Sequence, residues 1–307
     1  MNRENLLKNI SINNRCPICE NENVKTINKI NSNVEDFKDI FDLLICKECD
    51  HRFISKFPNE NFLNHLYKIG SNYVIGQHEE KKKSKMEFIK KGFSGVTSNK
   101  NHWVLKFVSL NDKGSYFEIG PGLCNLYKIF IENNWKCEGL ELQEWINGPG
   151  IVHKFEDIKE NKKDLIVMLD VLEHTIDPLK FINKLSNYQN VEGKLFLTFP
   201  NGDSFKSKIL GSKWPMVYPL SHLHYFSKKS IRIALKKNGY KDIVIKSYSF
   251  VEIYRLIRNF PKLILKCLLD LITLKFKSFS SRILEFFINI LDLINGDQMK
   301  VVAKKIK

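Results

Sequence analysis

The sequence predicts an α/β protein, with a Rossmann-like and mainly parallel sheet, helices on both faces, and a small cysteine-bearing module in front. Short apolar runs alternate with helix-like segments over residues 115–201, which is the pattern of strands joined by helical crossovers. A glycine-rich turn at 118–122 follows the first of these runs, and two pairs of cysteines lie near the amino terminus. We therefore expect two domains, over residues 1–75 and 76–307.

The composition indicates a folded chain with an excess of positive charge. Of the 307 residues 43% are hydrophobic, which is normal for a folded protein, and the formal net charge is +15. Such a charge would permit nucleic-acid binding. Lysines are scattered along the whole chain instead of forming one basic stripe with aromatic residues, so nucleic acid is an unfavoured partner. The lysine-rich stretch 78–85 is predicted to be a linker or the start of an exposed helix.

The amino-terminal cysteines have the spacing of a zinc site. Two Cys-x2-Cys pairs are separated by 26 residues, and their members are Cys16, Cys19, Cys46 and Cys49. Four thiolates fit tetrahedral zinc and leave no open position, so the site is predicted to be structural. Disulfide bonds are the alternative. Residues 1–15 are polar and contain no apolar signal segment, which favours zinc and a reducing cytoplasm.

The glycine turn has the surroundings of a nucleotide-type cofactor site. A strand that contains Glu118 is predicted before Gly120 and Gly122, and a helix over 125–133 follows them. Glycine lets the backbone approach a ligand without a Cβ atom, and a helix amino terminus presents free N–H groups. Glycine turns after strands also have purely structural roles, so this turn alone leaves both interpretations open.

The next strand ends in an acid at an informative distance. Residues 136–141 end at Glu141, about 20 residues after the turn, where a carboxylate can accept hydrogen bonds from both ribose hydroxyls. A third segment, 151–154, follows. Residues 164–170 and 193–201 are then predicted as further strands, the first of them buried.

Four motifs in this order resemble those of class I S-adenosylmethionine (SAM)-dependent methyltransferases, in the branch with ubiquinone-type and sugar-associated enzymes. They are Glu-Ile-Gly-Pro-Gly at 118–122, Gly-Leu-Glu at 139–141, Asp-Val-Leu-Glu-His with Asp-Pro at 170–178, and Leu-Thr-Phe-Pro-Asn at 197–201. The resemblance implies a seven-stranded class I methyltransferase sheet over roughly residues 85–307, with SAM as the cofactor. A dehydrogenase that binds NAD is not expected to carry the third motif.

The resemblance also implies a cofactor role for seven residues. They are Glu118, Gly120, Gly122, Glu141, Asp157, Leu169 and Asp170. The glycine turn would hold the methionine part of SAM. Glu141 would bind the ribose hydroxyls, and Asp157 would contact the adenine amino group. The last two residues would form the floor beneath the sulfonium. A solvated loop acid is the alternative for Asp157, and Cys124 departs from the family's third small position.

The loop after residue 201 is predicted to bind the substrate, because it lies beyond the carboxyl end of a strand. Its aromatic and imidazole side chains are expected to form one wall: Trp214, Tyr218, His222 and His224. The loop is similar to one in methyltransferases of polysaccharide gene clusters, and His222 best matches that family's histidine. A helix is predicted from residue 228, with Ser227 as its N-cap and Gly239 after its end.

Two histidines are candidate catalytic residues. Methyl transfer is an in-line displacement, and a hydroxyl acceptor needs a base for its proton, which suits histidine near neutral pH. His222 is the first candidate. By resemblance His174 also points towards the methyl group and is the second. A histidine that only caps a loop is the alternative for each, and it is the favoured interpretation for His224.

The carboxyl-terminal part is predicted to complete the sheet around a long insertion. Residues 241–250 and 298–305 are predicted as strands six and seven, an antiparallel pair in the family that the chain resembles. The insertion at 251–297 is amphipathic and basic, and Pro261 is expected to separate two helices. Charges interrupt each apolar run, so no membrane span is predicted. The insertion could contact the inner membrane surface, or form a lid or a dimer contact.

These inferences predict a cytoplasmic SAM-dependent methyltransferase that acts on a sugar hydroxyl or amine, nucleotide- or lipid-linked, in surface polysaccharide synthesis. The zinc knuckles before such a domain also resemble deoxysugar methyltransferases, although the chain has no room for their further carboxyl-terminal domain. The alternatives are a methyltransferase of a small lipid or quinone precursor, a non-catalytic zinc-ribbon nucleic-acid-binding protein, and a membrane-bound assembly partner held through 251–297. The sequence leaves the acceptor atom and the oligomeric state open.

Overall fold

The computed structural model describes residues 11–12, 14–32, 40–58, 63, 86–98, 100–159, 161–249 and 253–306. The predicted domain boundary after residue 75 and the predicted linker at 78–85 lie outside these residues.

The described residues form thirteen strands, a short helix at 86–91 and six further α-helices, which are numbered α1 to α6 below. The strands are β1 Ser11–Ile12, β2 Val24–Asn31, β3 Ile40–Cys46, β4 Arg52–Ile54, β5 Lys56–Phe57, β6 Ser115–Ile119, β7 Lys136–Leu140, β8 Ile151–Val152, β9 Lys163–Leu169, β10 Gln189–Pro200, β11 His224–Tyr225, β12 Tyr240–Tyr248 and β13 Gln298–Lys305. The helices are α1 Asn125–Glu132, α2 Pro178–Ser186, α3 Phe205–Leu210, α4 Lys228–Lys237, α5 Ile253–Ile272 and α6 Phe276–Ile294.

The main sheet has seven strands in the order β8, β7, β6, β9, β10, β13, β12. The first five are parallel, and β13 runs antiparallel between β10 and β12. The central strands β6 and β9 consist almost wholly of buried residues, because helices cover both faces of the sheet. The seven-stranded α/β fold is confirmed, together with the antiparallel pairing of its last two strands.

The helix after the substrate loop begins and ends as the sequence predicts. The Ser227 hydroxyl accepts a hydrogen bond from the Ser230 N–H, and the Ser230 hydroxyl accepts one from the Ser227 N–H, which makes a reciprocal capping box at α4. Gly239 follows the helix with a φ of +75°, a conformation that glycine adopts without strain. The polar start and the glycine end therefore mark the bounds of α4 in the sequence.

The amino-terminal module shares a sheet with the rest of the chain. Strands β2, β3 and β4 form an antiparallel meander, and β11 adds to its edge by pairing His224 with Phe53 and Tyr225 with Arg52. The Ser227 hydroxyl also donates a 2.6 Å hydrogen bond to the Cys49 carbonyl oxygen. One cluster of buried side chains includes Phe53 and Phe199 and therefore runs from the module to the main sheet.

The insertion contains two helices, α5 and α6, but Pro261 does not separate them. Pro261 lies inside α5, and the break comes after Ile272. There the Lys275 N–H donates to the Asp270 carbonyl and the Leu274 N–H to the Leu271 carbonyl, with Leu274 at a φ of +54°. This is a Schellman ending with leucine where glycine is usual, so no local signal marks it in the sequence. In the described part of the chain, no helix combines the length and apolar character needed to span a bilayer.

Candidate functional site

The glycine turn opens a cradle at the carboxyl end of β6. Gly120 and Gly122 have φ angles of +66° and +52°, which side chains rarely tolerate. A Cβ atom on Gly120 would lie 2.8 Å from the Val171 side chain, whereas one on Gly122 would have nothing within 4 Å. Gly120 is therefore required by close packing against the turn after β9, and the backbone at Gly122 faces open space that a ligand can fill.

Glu141 connects this cradle to the neighbouring strand. One carboxylate oxygen accepts a 3.1 Å hydrogen bond from the Gly122 N–H, and the other accepts a 3.0 Å bond from the Gln143 N–H. The side chain is buried, and this burial raises the pKa of Glu141 although the two N–H groups and His153 counteract the effect. The acid is thus fixed by the backbone at the end of β7.

Glu118 is the second buried acid of the cradle. The Tyr116 hydroxyl donates a 2.6 Å hydrogen bond to its carboxylate, and burial raises the pKa of Glu118 to about 7. Cys124 is also buried, and its thiol donates a 3.4 Å bond to the Gly122 carbonyl oxygen. Its φ of +60° just before α1 shows that this residue takes a conformation otherwise typical of glycine.

The structure places the other predicted cofactor residues along the same edge of the sheet. Leu169 ends β9, and the Thr198 hydroxyl donates a 3.0 Å hydrogen bond to the carboxylate of Asp170, which follows it with a φ of +55°. Asp157 is exposed after β8 and lines an open cavity of about 590 Å³ together with His153. All seven residues therefore lie at the ends of adjacent parallel strands, where such sheets bind ligands.

His174 and His222 meet although they are far apart in the sequence. Their ring centroids are 4.9 Å apart and the ring planes are inclined at 63° in an edge-to-face arrangement. The His174 Nδ1 donates a 2.6 Å hydrogen bond to the Ser221 carbonyl oxygen, and the His222 Nδ1 donates a 2.7 Å bond to the Met216 carbonyl oxygen. Both carbonyl bonds select the tautomer with its hydrogen on Nδ1, so each neutral ring keeps a lone pair on Nε2.

Burial keeps this pair of imidazoles neutral. Burial and the neighbouring His174 lower the pKa of His222 to about 3, and the Met216 carbonyl counteracts this shift. Burial also lowers the pKa of His174, against the opposite effect of the Ser221 and Asp170 carbonyls. Neutral imidazoles keep a nitrogen lone pair that can bind an electrophile at neutral pH.

Glu173 lies beside this pair and was not among the predicted site residues. Its side chain is 1% exposed, and neither carboxylate oxygen has a hydrogen-bond partner among the described residues. Its Oε1 lies 3.9 Å from the His174 Nε2. The available signal was an acid next to a histidine just after a buried strand, a place where a charged side chain requires a partner.

The predicted aromatic wall is wrong for two of its four members. His224 is fully buried in β11, where its Nε2 bonds to the Thr175 carbonyl oxygen and its ring faces His51, so its structural interpretation is confirmed. Trp214 is buried against Tyr225. Pairing of β11 with the amino-terminal module draws this part of the loop into the core. Tyr218 remains half-buried beside His222, with ring centroids 5.4 Å apart.

The four cysteines of the module come together as their spacing predicts. All four Sγ atoms lie within 4.8 Å of one another. The Cys16 and Cys49 Sγ atoms are 3.5 Å apart, and those of Cys19 and Cys46 are 3.4 Å apart. Sulfur atoms around tetrahedral zinc, with bonds of about 2.3 Å, would be about 3.8 Å apart. This donor set therefore fits zinc and closes its coordination.

One family model matches the central part of the chain. Residues 97–244 match the family model described as a methyltransferase domain. This range contains the glycine turn, Glu141, the strands β6 to β10, and both histidines of the pair. No curated protein matches the chain. The family match supports SAM-dependent methyl transfer, and the strand order agrees with the class I methyltransferase fold.

Solved structures resemble the chain at low identity. A SAM-dependent methyltransferase from Thermotoga maritima is 13% identical with a TM-score of 0.44, and the match covers 78% of this chain and 99% of that one. One from Archaeoglobus fulgidus is 14% identical with a TM-score of 0.43, over 80% and 100%. A phosphoethanolamine N-methyltransferase of Haemonchus contortus, in complex with phosphomonomethylethanolamine and S-adenosylhomocysteine, is 13% identical with a TM-score of 0.47, over 83% and 63%. At these identities and TM-scores, the substrate of none of these proteins can be assigned to this chain.

Proposed function

We propose, from the premise of a SAM-dependent methyltransferase domain over residues 97–244, that the chain methylates a hydroxyl or amine of a nucleotide- or lipid-linked sugar in surface polysaccharide synthesis. The observation that carries this proposal is the pair of neutral imidazoles, His174 and His222, 4.9 Å apart at the carboxyl edge of the sheet. The turn that bears His174 packs against the glycine turn through Val171 and Gly120. Acceptor and cofactor would therefore meet at this edge.

The cradle fits SAM. The backbone at Gly122 faces open space for the methionine part, and the carboxylate of Glu141 is held at the end of β7 for the ribose hydroxyls. Asp157 lines the cavity next to β8, where the adenine would lie. When bound, SAM supplies an electrophilic methyl group on a sulfonium. Leu169 and Asp170 would form the floor beneath it.

The residues of the chain then align the acceptor and receive its proton. The acceptor oxygen or nitrogen displaces the sulfur in line, so the protein contributes mainly position and exclusion of water. A hydroxyl loses its proton as the new bond forms, and the bare Nε2 of His222 or His174 is placed to accept it. Tyr218 provides an aromatic ring beside His222 for the sugar.

We also propose that the four-cysteine cluster binds one zinc ion and has a structural role. Its support is the closed donor set, with four thiols and no place for a substrate ligand. The hydrogen bond from Ser227 to the Cys49 carbonyl ties this cluster to α4. The zinc would thereby stabilise the sheet edge formed by β11, which immediately follows the substrate loop.

The helical pair is proposed to contact an anionic membrane surface and so bring the site to a lipid-linked acceptor. Its large exposed apolar side chains include Ile264, Leu265, Leu268, Ile272, Phe276, Leu284, Phe287 and Ile294. Between the helices is a cleft of about 400 Å³ lined partly by Lys262 and Lys266, whose charge complements acidic lipid headgroups, and by Arg282, which is paired with Asp270. After α6, the Gly296 carbonyl accepts a bond from Asn201 at the carboxyl end of β10, next to the proposed site.

A vesicle sedimentation assay tests the membrane contact. The protein should sediment with vesicles that contain phosphatidylglycerol and remain in solution with phosphatidylcholine alone. Lys262→Glu with Lys266→Glu should abolish sedimentation, and Lys236→Glu on α4 should leave it unchanged. A dimer in solution without vesicle binding would contradict the proposal and assign this apolar surface to a second copy of the chain.

Calorimetric titration with SAM and S-adenosylhomocysteine tests the cofactor site. Micromolar binding is expected, and both Gly122→Asp and Glu141→Ala should abolish it, because the first fills the cradle and the second removes the ribose acceptor. Glu192→Gln on the surface is the control. Well-folded protein that binds neither compound would contradict the proposed enzyme, and steeply salt-dependent binding of oligonucleotides would then favour the nucleic-acid alternative.

Turnover tests the substrate class. Lipid-linked and nucleotide-linked sugars should accept a methyl group from radiolabelled SAM, and His222→Ala should reduce turnover without weakening cofactor binding. Methylation of a quinone precursor, with no sugar methylated, would identify the alternative small-lipid substrate.

A further inference from the structure

We propose that Glu173, His174 and His222 form a second metal site, which binds one divalent first-row transition-metal ion and holds the acceptor oxygen. This inference deepens the proposed methyltransferase function and rests on it for the role of the ion. The binding of the ion itself rests on the geometry alone. One ligand atom from each of the three residues lies within 4.8 Å of the other two.

The separation of the donors suits a single ion after a small adjustment. The Glu173 Oε1 and the His174 Nε2 are 3.9 Å apart. Ligands that bond to one ion at about 2.1 Å are about 3.4 Å apart in tetrahedral coordination and at most about 4.2 Å apart on opposite sides of the ion. Side-chain rotations that draw the three donors closer together than their present limit of 4.8 Å would complete the set.

The buried carboxylate is an independent indication of a missing partner. Glu173 is 1% exposed, and no described residue donates a hydrogen bond to either of its oxygens. Lys206, for comparison, forms ion pairs with Asp292 and Asp297, which shows how this chain neutralises buried acids elsewhere. Burying an unpaired carboxylate is costly unless it is paired or coordinates a metal. A cation between Glu173 and the imidazoles would remove that cost.

The two imidazoles have the orientation of metal ligands. Each donates its Nδ1 hydrogen to a backbone carbonyl oxygen, that of Ser221 for His174 and that of Met216 for His222. Metal-ligating histidines typically donate their second ring N–H to a carbonyl or carboxylate, which fixes the ring and leaves the other nitrogen for the ion. The loop backbone thus orients both rings before any ligand arrives.

The ligand set differs in kind from the cysteine cluster. Two imidazoles and one carboxylate occupy three positions and leave others open, whereas four thiolates close a tetrahedral site. Sulfur ligands select zinc and other soft ions, while imidazole and carboxylate ligands also accept manganese, iron or cobalt. An open site of this type can bind a hydroxyl of the acceptor directly.

The ion gives the pair of histidines a different role in the reaction. Bound to the ion, a sugar hydroxyl becomes more acidic, and its proton passes to bulk water instead of to an imidazole. The oxygen then forms a bond to the methyl carbon of SAM while the carbon–sulfur bond breaks. The products are the methyl ether, S-adenosylhomocysteine and one released proton, so atoms and charge balance. A metal of this type favours an oxygen acceptor over an amine.

Manganese binding tests the inference without any need for turnover. Zinc-loaded protein, freed of loosely bound ions, is titrated with Mn²⁺ in a calorimeter and by electron paramagnetic resonance in the absence of SAM. One Mn²⁺ site is expected, with nitrogen couplings from imidazole in the pulsed spectrum. Glu173→Gln should weaken Mn²⁺ binding by about 100-fold, and His174→Gln should remove part of the nitrogen coupling. Glu192→Gln and His102→Gln are matched controls that should bind Mn²⁺ normally.

The outcomes separate this inference from the proposed function. Normal SAM binding without a Mn²⁺ site would overturn the inference and leave the histidines as bases. Equal Mn²⁺ affinity in wild type and both ligand variants would also overturn it. A Mn²⁺ site in a protein that binds no SAM would support the inference and contradict the methyltransferase. If Glu173→Gln fails to fold, His222→Gln gives the same test from the substrate loop.

Discussion

The four-cysteine cluster and the Glu173–His174–His222 cluster both bring donor atoms close together but arise in different ways. In both, the ligand atoms lie within 4.8 Å of one another. Each pair of cysteines comes from one local turn, Cys16 with Cys19 and Cys46 with Cys49. His222 by contrast is held beside His174 by the hydrogen bond that His174 donates to the Ser221 carbonyl, 47 residues further along the chain. Local turns make the first cluster visible in the sequence, and only the folded sheet assembles the second.

The two clusters also differ in what they contribute to stability. The cysteines lie in the core that joins the module to the main sheet, with Cys16, Cys46 and Cys49 at most 1% exposed. Bound zinc would therefore count towards the folding free energy. Glu173 is a buried acid whose oxygens have no hydrogen-bond partner among the described residues, which is unfavourable for folding unless a cation pairs with it. The comparison suggests a structural metal in one cluster and a functional site, maintained at some cost in stability, in the other.

The largest expected effect is the loss of a zinc ligand. Cys46→Ser should abolish stoichiometric zinc and lower the free energy of unfolding by about 5 kcal/mol or more, because structural zinc contributes about 10 kcal/mol to small sites. Zinc analysis and chemical denaturation measure both. Cys137→Ser, at a half-buried thiol outside the cluster, should retain zinc. If Cys46→Ser were as stable as the wild type, the cysteine cluster would contribute no more to folding than the Glu173–His174–His222 cluster does.

Mild chelation should separate the clusters by accessibility. Brief treatment with EDTA should remove an ion from the open site and reduce turnover by about 100-fold, equivalent to about 2.7 kcal/mol in the barrier. The buried thiolates should keep their zinc during this treatment, and circular dichroism should not change. Restoration of activity by Mn²⁺ completes the test. Turnover that EDTA does not change would contradict a metal ion in the Glu173–His174–His222 cluster.

Loss of the hydrogen bond between α4 and the amino-terminal module should have a moderate effect on stability. Ser227→Ala removes the hydrogen bond to the Cys49 carbonyl and the N-cap of α4, which should cost about 2 kcal/mol of unfolding free energy. Thermal and urea denaturation measure the loss. Ser227→Thr keeps the hydroxyl and should recover most of it. Unchanged stability in Ser227→Ala would mean that zinc module and sheet are less tightly coupled than their shared strand indicates.

The smallest expected effect is a gain in stability instead of a loss. Glu173→Gln in metal-free protein should raise the free energy of unfolding by about 1 kcal/mol, because a neutral amide is less costly to bury than an unpaired carboxylate. Urea denaturation at neutral pH, with zinc retained and other ions removed, measures the gain. Added Mn²⁺ should stabilise the wild type more than the variant. A destabilised Glu173→Gln protein would show that the carboxylate has a structural partner after all.

Local motifs account for most of what could be predicted about the fold. The alternation of apolar runs with helical segments gave the sheet, and the last two strands paired as expected. The glycine turn and Glu141 met because the carboxyl ends of adjacent parallel strands share one edge. The break between α5 and α6 was misplaced, because a proline inside a helix is exceptional and Leu274 stands where glycine is usual.

By itself the sequence determined the features whose partners are close along the chain. The cysteine pairs, the glycine turn and the capping box at Ser227 each depend on spacings of a few residues, which fix backbone geometry directly. Tertiary structure alone decided the features whose partners come from distant segments. Pairing of His224 with Phe53 drew part of the substrate loop into the core, and Glu173 was left unpaired beside two imidazoles. Such contacts depend on how strands and loops pack, and no local pattern encodes them.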